Sequence, residues 1–208
     1  MGKTILALVI ILFLGSTIFG QRKQDLNINF MLRGQIYAGS SIMDTTALGG
    51  FAISDNLPKK IDENLSFSDR ELSLKIDTNR TTIINNKYNG YTLYIANTTD
   101  TIIELRASDS RLSVIAEVFY KEQWKPIEYL PSSWCGNSYH SVYLKQNEYW
   151  EFNIPKFRGK IHTKLRYILK LPNGKYIYSN EIYTSFNKGQ LEIKQGHKSS
   201  GIMDPYND

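Results

Sequence analysis

Apolar and polar side chains alternate with a period of two over most of the chain from about residue 71 onwards. This alternation is typical of β-strands that bury one face and expose the other. The run at 72–76 and the run at 91–95 each follow it over a short length. The run at 161–171 is the longest, and its apolar positions are Ile161, Leu165, Tyr167, Leu169 and Leu171. We therefore predict a succession of short strands, each with one solvated face.

Two departures from this pattern place particular strands. Residues 112–120 carry apolar residues on both faces, because Ile115 and Phe119 lie between the inward positions, so we place this run centrally in a sheet. Pro126 lies in the next run, and a proline cannot donate to a strand ladder, which favours an edge or a bulge there. In "LPNGK", Gly174 supplies the positive φ that a type I turn with a bulge requires, so a hairpin is predicted.

The strands and turns together predict an all-β fold. Eight to ten short strands and no helical period of useful length after residue 20 favour a two-layer antiparallel β-sandwich, because each strand must bury its apolar face against another sheet. We assign the β-sandwich domain to residues 71–193 and a C-terminal tail to 194–208. Residues 21–70 are rich in Gly, Ser, Asp and Asn and predict a loosely structured N-terminal arm or a decorated loop region.

The last third of the chain contains "LKQNEYWEFNIP" followed by "GKIHTKLRYILKLPNGKYIYSNEIYTSF", within residues 142–186. This order of strands and turns resembles the second half of immunoglobulin-like and fibronectin type III-like modules. Such modules place a strand of alternating apolar residues before a glycine-led corner, a long strand, a glycine-containing hairpin and a final strand. The resemblance implies an immunoglobulin-like sandwich, and fold alone does not imply an activity.

The first twenty residues differ from the rest and predict export. A short positive start at Lys3 precedes the uncharged residues 4–19, and small residues at Gly15, Ser16 and Gly20 follow the apolar centre of this stretch. The apolar centre at residues 5–14 suits a signal peptide, whereas a transmembrane helix needs about 20 apolar residues. We assign 1–20 as a cleaved signal peptide, with an uncleaved anchor as the alternative. The implied location is secreted or periplasmic, and the chain is similar in this respect to small exported proteins of Gram-negative bacteria.

Charge and cysteine content narrow the classes of partner. The chain has 208 residues and a net charge of +5, with both signs interspersed, which gives no support to nucleic-acid binding. Membrane contact is expected only through an uncleaved N-terminal segment, if at all. The single cysteine, Cys135, cannot form a disulfide within the chain, so the domain has to be stabilised by its core.

The stretch "SSWCGNSYH" offers one possible catalytic pair. A cysteine nucleophile needs a base within hydrogen-bonding reach, and His140 follows Cys135 by five residues. The two side chains would meet only if the intervening Gly136-Asn137 turn folded back. We therefore expect a turn into a strand at this position and no enzyme activity, and keep a cysteine-dependent hydrolase as the alternative.

No metal or cofactor site is predicted. The three histidines, His140, His162 and His197, occur in neither an H-x-H nor an H-E-x-x-H arrangement. The chain also lacks a glycine-rich phosphate loop and a G-x-S-x-G nucleophile motif.

Aromatic residues crowd into the region before and after "SSWCGNSYH". Those near predicted turns are candidates for exposure, and rigid exposed rings can bind sugars or protein partners at low entropic cost. We predict a binding platform formed by Trp124, Tyr129, Trp134 and Tyr139. The expected function is a non-catalytic binding module whose partner is a protein or glycan of the cell envelope, with a structural envelope component anchored by an uncleaved helix as a further alternative.

Overall fold

The computed structural model of the protein describes residues 23–131 and 136–192, and over these residues the fold is all-β. The strands are β1 (Leu32–Arg33), β2 (Lys59–Lys60), β3 (Leu72–Ile84), β4 (Tyr88–Asn97), β5 (Ile103–Ser108), β6 (Arg111–Leu112), β7 (Val114–Tyr120), β8 (Gln123–Pro126), β9 (Glu128–Tyr129), β10 (Tyr139–Leu144), β11 (Glu148–Pro155), β12 (Ile161–Lys170), β13 (Tyr176–Tyr178) and β14 (Ile182–Phe186). The described residues contain two short 3₁₀ helices, Gly136–Ser138 and Lys188–Leu191, and no α-helix.

The strands form three antiparallel sheets and one small parallel pair. A four-stranded sheet has the order β2-β11-β4-β3, and a five-stranded sheet has the order β13-β12-β7-β8, with β14 also paired to β12. A three-stranded sheet has the order β10-β5-β6, and β1 pairs in parallel with β9. The four-stranded and five-stranded sheets contribute apolar side chains to one core, which also receives residues of the three-stranded sheet.

The period-two runs form strands as predicted, but β4 differs in its burial. Leu93 and Ile95 point into the main core, whereas Tyr94 and Ala96 on the other face are also buried, together with Tyr149 of β11. A prediction of one solvated face is therefore wrong for β4. The second face is covered by Ile61, Leu65 and Phe67, which come from the preceding irregular segment.

The predicted strand at residues 112–120 is interrupted at Ser113. Its first part, β6, pairs with β5, while β7 lies between β12 and β8 in the five-stranded sheet, as its two-sided apolar pattern predicted. Val114, Ala116 and Val118 are fully buried. Pro126 ends the edge strand β8, where a missing N–H donor is tolerated.

The turns follow their residue types. Gly174 has a φ of +80°, and the N–H of Leu171 donates to the carbonyl of Lys175 at 2.8 Å, which closes the predicted hairpin. Lys121 and Glu122 both have positive φ, which gives the β7–β8 hairpin a turn whose twist matches its strands. The predicted β-sandwich domain does not end in a strand at Leu191, which ends a 3₁₀ helix, and Ile193 lies outside the described residues.

The expectation of a loosely structured N-terminal arm has to be corrected for residues 26–38. Leu26, Met31, Ile36 and Ala38 are at most 8% exposed, and Leu26, Ile36 and Ala38 belong to the main core although the segment contains only the short strand β1. The indole N–H of Trp150 donates to the carbonyl of Gly39 at 2.9 Å, inside the protein. The segment contributes to the same core as the predicted sandwich, because its apolar side chains supply part of the inner packing.

The two ends of the chain lie outside the described residues. This applies to the predicted signal peptide at 1–20 and to the C-terminal tail at 194–208. Within residues 23–131 and 136–192, no helix has the length and apolar character needed to cross a membrane.

Candidate functional site

The outward face of the five-stranded sheet carries a row of aromatic and charged side chains. The inward positions of β7 and β12 are buried in the core, so the alternate positions on both strands point outward. These outward positions include Glu117 and Phe119 on β7 and Arg166 on β12. Register places Arg166 opposite Glu117, and Phe119 opposite Trp124 of β8.

The arginine is enclosed by two aromatic rings. The guanidinium carbon of Arg166 lies 4.1 Å from the ring centroid of Trp124 and 4.1 Å from that of Tyr178. Phe119 extends the row, with its centroid 5.4 Å from that of Trp124 at an interplanar angle of 59°. We call the set Phe119, Trp124, Arg166 and Tyr178 the aromatic face.

An ion pair fixes the arginine within the aromatic face. Nε and Nη2 of Arg166 donate to one carboxylate oxygen of Glu117 at 3.2 and 3.1 Å. The side chains are 19% and 13% exposed, so the pair is more shielded from water than a surface ion pair. Cation–π attraction to both rings and the carboxylate contact together hold the guanidinium in one orientation.

Several rings at and beside the aromatic face are open to solvent. Phe119 is 40% exposed and Tyr178 is 49% exposed. Tyr176 lies two residues before Tyr178 on β13 and therefore on the same side of the sheet. Tyr183 of β14 is opposite Lys164, two residues before Arg166, and is 87% exposed. The aromatic face thus continues into a larger exposed surface.

The three described residues of the predicted platform lie in different parts of the fold. Trp124 belongs to the aromatic face. Tyr129 lies on β9, paired with β1, and Tyr139 begins β10 in the three-stranded sheet, where it is 53% exposed. Trp134 lies outside the described residues. A platform made of these four rings therefore stays a prediction, and the structure adds Phe119, Arg166 and Tyr178 as neighbours of Trp124.

His140 is enclosed by packing and polar contacts. It lies second on β10, is 7% exposed, and stacks on Phe51 with ring centroids 3.8 Å apart and nearly parallel planes. Its ring nitrogens approach the hydroxyl of Ser110 at 3.5 Å and the carbonyl of Ser138 at 3.3 Å. Cys135 lies outside the described residues, so the hydrolase alternative stays a prediction. Residues 23–131 and 136–192 bring together no group of three metal-ligating side chains.

Only part of the aromatic face could be predicted from the sequence. Trp124 belongs to the predicted platform because it lies near a predicted turn, whereas Arg166 is one of the polar positions that alternate with the apolar residues of the run at 161–171. Their contact depends on the register between β8, β7, β12 and β13, which the spacing along any one strand does not reveal. An arginine at an outward strand position, with outward aromatic residues on neighbouring strands, is the sequence pattern that predicts such a contact.

Comparisons with known proteins leave the family of this chain open. No protein-family model, curated protein or solved structure matches it. The chemistry of the side chains and the arrangement of the strands are therefore the basis for proposing a function.

Proposed function

We propose that this protein is a non-catalytic binding module of the cell envelope that contacts a protein partner through the aromatic face. The observation that carries this proposal is the enclosure of Arg166 between the rings of Trp124 and Tyr178, with exposed rings on either side. Tryptophan, tyrosine and arginine are the residues most enriched among those that dominate the energy of protein interfaces.

The aromatic face is preorganised for binding, because contacts within the protein already restrict its side chains. The ion pair with Glu117 and the two ring contacts restrict the arginine, which would otherwise lose side-chain entropy on association. All members lie on paired strands, so the backbone beneath them is fixed by the sheet. These features support a surface that binds with little rearrangement.

The same geometry favours a protein over a glycan. Sugars bind aromatic residues by lying against an open ring face, but Arg166 covers one face of Trp124 and one face of Tyr178. The fixed guanidinium between these rings, next to the exposed ring of Phe119, offers hydrogen-bond donors beside apolar surface, which suits apolar side chains and backbone carbonyls of a protein. Glycan binding is the second outcome that the experiment below distinguishes.

An immunoglobulin-like sandwich is the architecture we propose for the domain. The orders β3-β4-β11 and β8-β7-β12-β14 correspond to the A-B-E and C′-C-F-G orders of such modules, with β5, β6 and β10 as an additional sheet. Core side chains from both sets of strands pack together, which supports the same architecture. Modules of this type present one sheet face or one set of loops to partners.

A location outside the cytoplasm is part of the proposal, and it depends on residues 1–20. Their charge and apolar pattern support a cleaved export signal. A mass spectrum of the exported protein tests this point, since a species that begins at Gln21 is incompatible with the alternative of an uncleaved anchor.

Site-specific photo-crosslinking tests the aromatic face. A photoreactive phenylalanine analogue is placed at Phe119 or at Tyr178 in the full chain, and irradiated cells are analysed for crosslinked proteins. The matched control carries the analogue at Ile102, which is 52% exposed and lies outside the aromatic face. We expect the same protein to be captured from both test positions and not from the control.

A second substitution shows whether capture depends on the surface. With the crosslinker at Phe119, Tyr178→Ser should reduce capture about tenfold, and Tyr139→Ser should not. Equal capture from Ile102, or no effect of Tyr178→Ser, would contradict the proposal. Loss of envelope-polysaccharide binding by Tyr178→Ser, without any protein crosslink, would identify the partner as a glycan instead.

A further inference from the structure

A cavity of about 170 Å³ lies beside the N-terminal segment, away from the outward aromatic face. Leu26 and Leu32 from this segment and Ile154 of β11 form apolar walls. Gln35, Asn85 and Asn153, which are exposed, also line it and give it a polar rim open to water. Glu128 and Tyr167 lie at its buried end, where they are 4% and 1% exposed.

Glu128 is unusual because its carboxyl group is buried and, among the residues that the structure describes, accepts two hydrogen bonds without forming an ion pair. The N–H of Ala116 donates to Oε2 at 3.0 Å, and the hydroxyl of Tyr167 donates to Oε1 at 3.3 Å. Burial raises the pKa of this carboxyl to about 7, since the two hydrogen bonds offset only part of the desolvation. A carboxylate has about four acceptor positions, so donors from a ligand could still be accepted.

The other titratable residues of the cavity do not supply a counter-ion to Glu128. They are Arg33 on β1, Tyr88 on β4 and Tyr167 on β12. In the β1–β9 pair, Leu32 lies opposite Glu128 and Arg33 lies opposite Tyr129, and the charge of Arg33 does not contribute to the pKa of Glu128. The same burial raises the pKa of Tyr167 well above its ordinary value, so this residue acts as a neutral donor.

The size of the cavity restricts what it can hold. An engineered apolar cavity of about 150 Å³ in another protein binds benzene, so 170 Å³ accommodates a body of about six to eight heavy atoms. Apolar walls suit such a body, and a buried carboxylate is most stable when a cation donates hydrogen bonds to it. A ligand with an apolar body and a hydrogen-bonding cation would contact the apolar walls and Glu128 at the same time.

We infer that the Glu128 cavity binds a small amphipathic amine, in which an apolar group of roughly benzene size carries a primary ammonium that donates to Glu128. The site is separate from the aromatic face and does not depend on the function proposed for it. The ligand buries its apolar part against Leu26, Leu32 and Ile154, and its charge compensates the buried carboxylate.

Calorimetric titration of the full-length protein with three probes of similar shape tests the inference. The probes are benzylamine, benzyl alcohol and benzoate, each measured at pH 8 and pH 5.5. We expect benzylamine to bind at pH 8 and benzoate not to bind. Benzylamine affinity should fall about 30-fold at pH 5.5, because a carboxyl with a pKa of about 7 is then mostly protonated.

Two substitutions locate the binding in the cavity. Glu128→Gln keeps the shape of the side chain and should weaken benzylamine at least tenfold while leaving benzyl alcohol unchanged. Asn153→Trp, at an exposed rim position, should block all probes. The inference is overturned if Glu128→Gln binds benzylamine as tightly as the wild type does, or if benzyl alcohol or benzoate binds as well as the amine. Absence of binding by every probe would also overturn the inference, because the cavity would then hold only water. If Glu128→Gln does not fold, benzylamine binding by the wild type at pH 8 and at pH 5.5 still tests the inference.

Discussion

Glu128→Gln is expected to change the pH dependence of folding stability. The folded-state pKa of Glu128 is about 7 and its ordinary value is 4.5, so the folded protein holds this proton more tightly than the unfolded chain does. The stability that the protonated carboxyl contributes is therefore fully present below pH 4.5. It is lost as the pH rises through 7, because the carboxyl then ionises in the folded protein. Glutamine cannot ionise and resembles the protonated acid in shape and hydrogen bonding.

The size of the effect follows from the difference between the two pKa values. One pKa unit corresponds to 1.36 kcal/mol, so ionisation of Glu128 costs the folded state about 3 kcal/mol by pH 8. The free energy of unfolding of Glu128→Gln minus that of the wild type should rise by about this amount between pH 4.5 and pH 8. Because a difference between two variants is taken, most titration by other groups cancels.

Urea unfolding at half-unit pH steps, followed by tryptophan fluorescence, measures this difference. Glu63→Gln is the matched control, since Glu63 lies exposed in a loop before β3 and its replacement should give a nearly constant difference from the wild type. If the free energies of unfolding of Glu128→Gln and the wild type differ by a constant amount over the whole pH range, the carboxyl is not held in a desolvated environment. Both the account of its burial and the electrostatic part of the cavity inference would then fail.

Three other substitutions probe contacts that hold the domain together. Trp150→Phe should destabilise it by about 2–3 kcal/mol, because the buried carbonyl of Gly39 loses its donor; a lower thermal midpoint measures this. Arg166→Met should cost about 1–3 kcal/mol in urea unfolding, and addition of 1 M NaCl to the wild type should reproduce little of that loss, since the ion pair is shielded. Asn180→Ala should cost about 1–2 kcal/mol and speed hydrogen exchange at the N–H of Ile76, to which the Asn180 side chain is bonded at 2.7 Å.

The parts of the fold that could be predicted are those encoded within one strand or one turn. Alternation placed Leu74, Ile76 and Leu165 in the core, because a side chain in a strand faces the same way as its second neighbour. The positive φ of Gly174 could likewise be predicted from the residue alone. An all-β domain with a central β7 and an edge at Pro126 follows from such local rules.

Features that depend on distant segments could not be predicted in this way. Tyr94 reads as an outward residue of β4, and only the docking of Phe67, from outside the strand, makes that face internal. The Glu128 cavity has the same origin, since five of its thirteen lining residues come from a segment whose composition indicated a loop. For the aromatic face, Trp124 is part of the predicted platform, but the position of Arg166 between Trp124 and Tyr178 depends on the pairing of β7 with the distant strand β12 as well as on two hairpins.

The contact between the two ends of the described chain has a consequence for how the protein folds. Asn187, beside the C-terminal 3₁₀ helix, donates its side-chain amide to the carbonyl of Ile28, 159 residues earlier, and Gly39 waits for Trp150 across 111 residues. During synthesis or export the N-terminal segment emerges first, yet β1 has no strand partner until β9 emerges, and the carbonyl of Gly39 has no indole donor until Trp150 emerges. Folding rates fall as contacting residues become more distant in sequence, so the domain should complete its core late and slowly. A chaperone that protects residues 26–38 in the interval would raise the yield of folded protein more than one that binds the last strands.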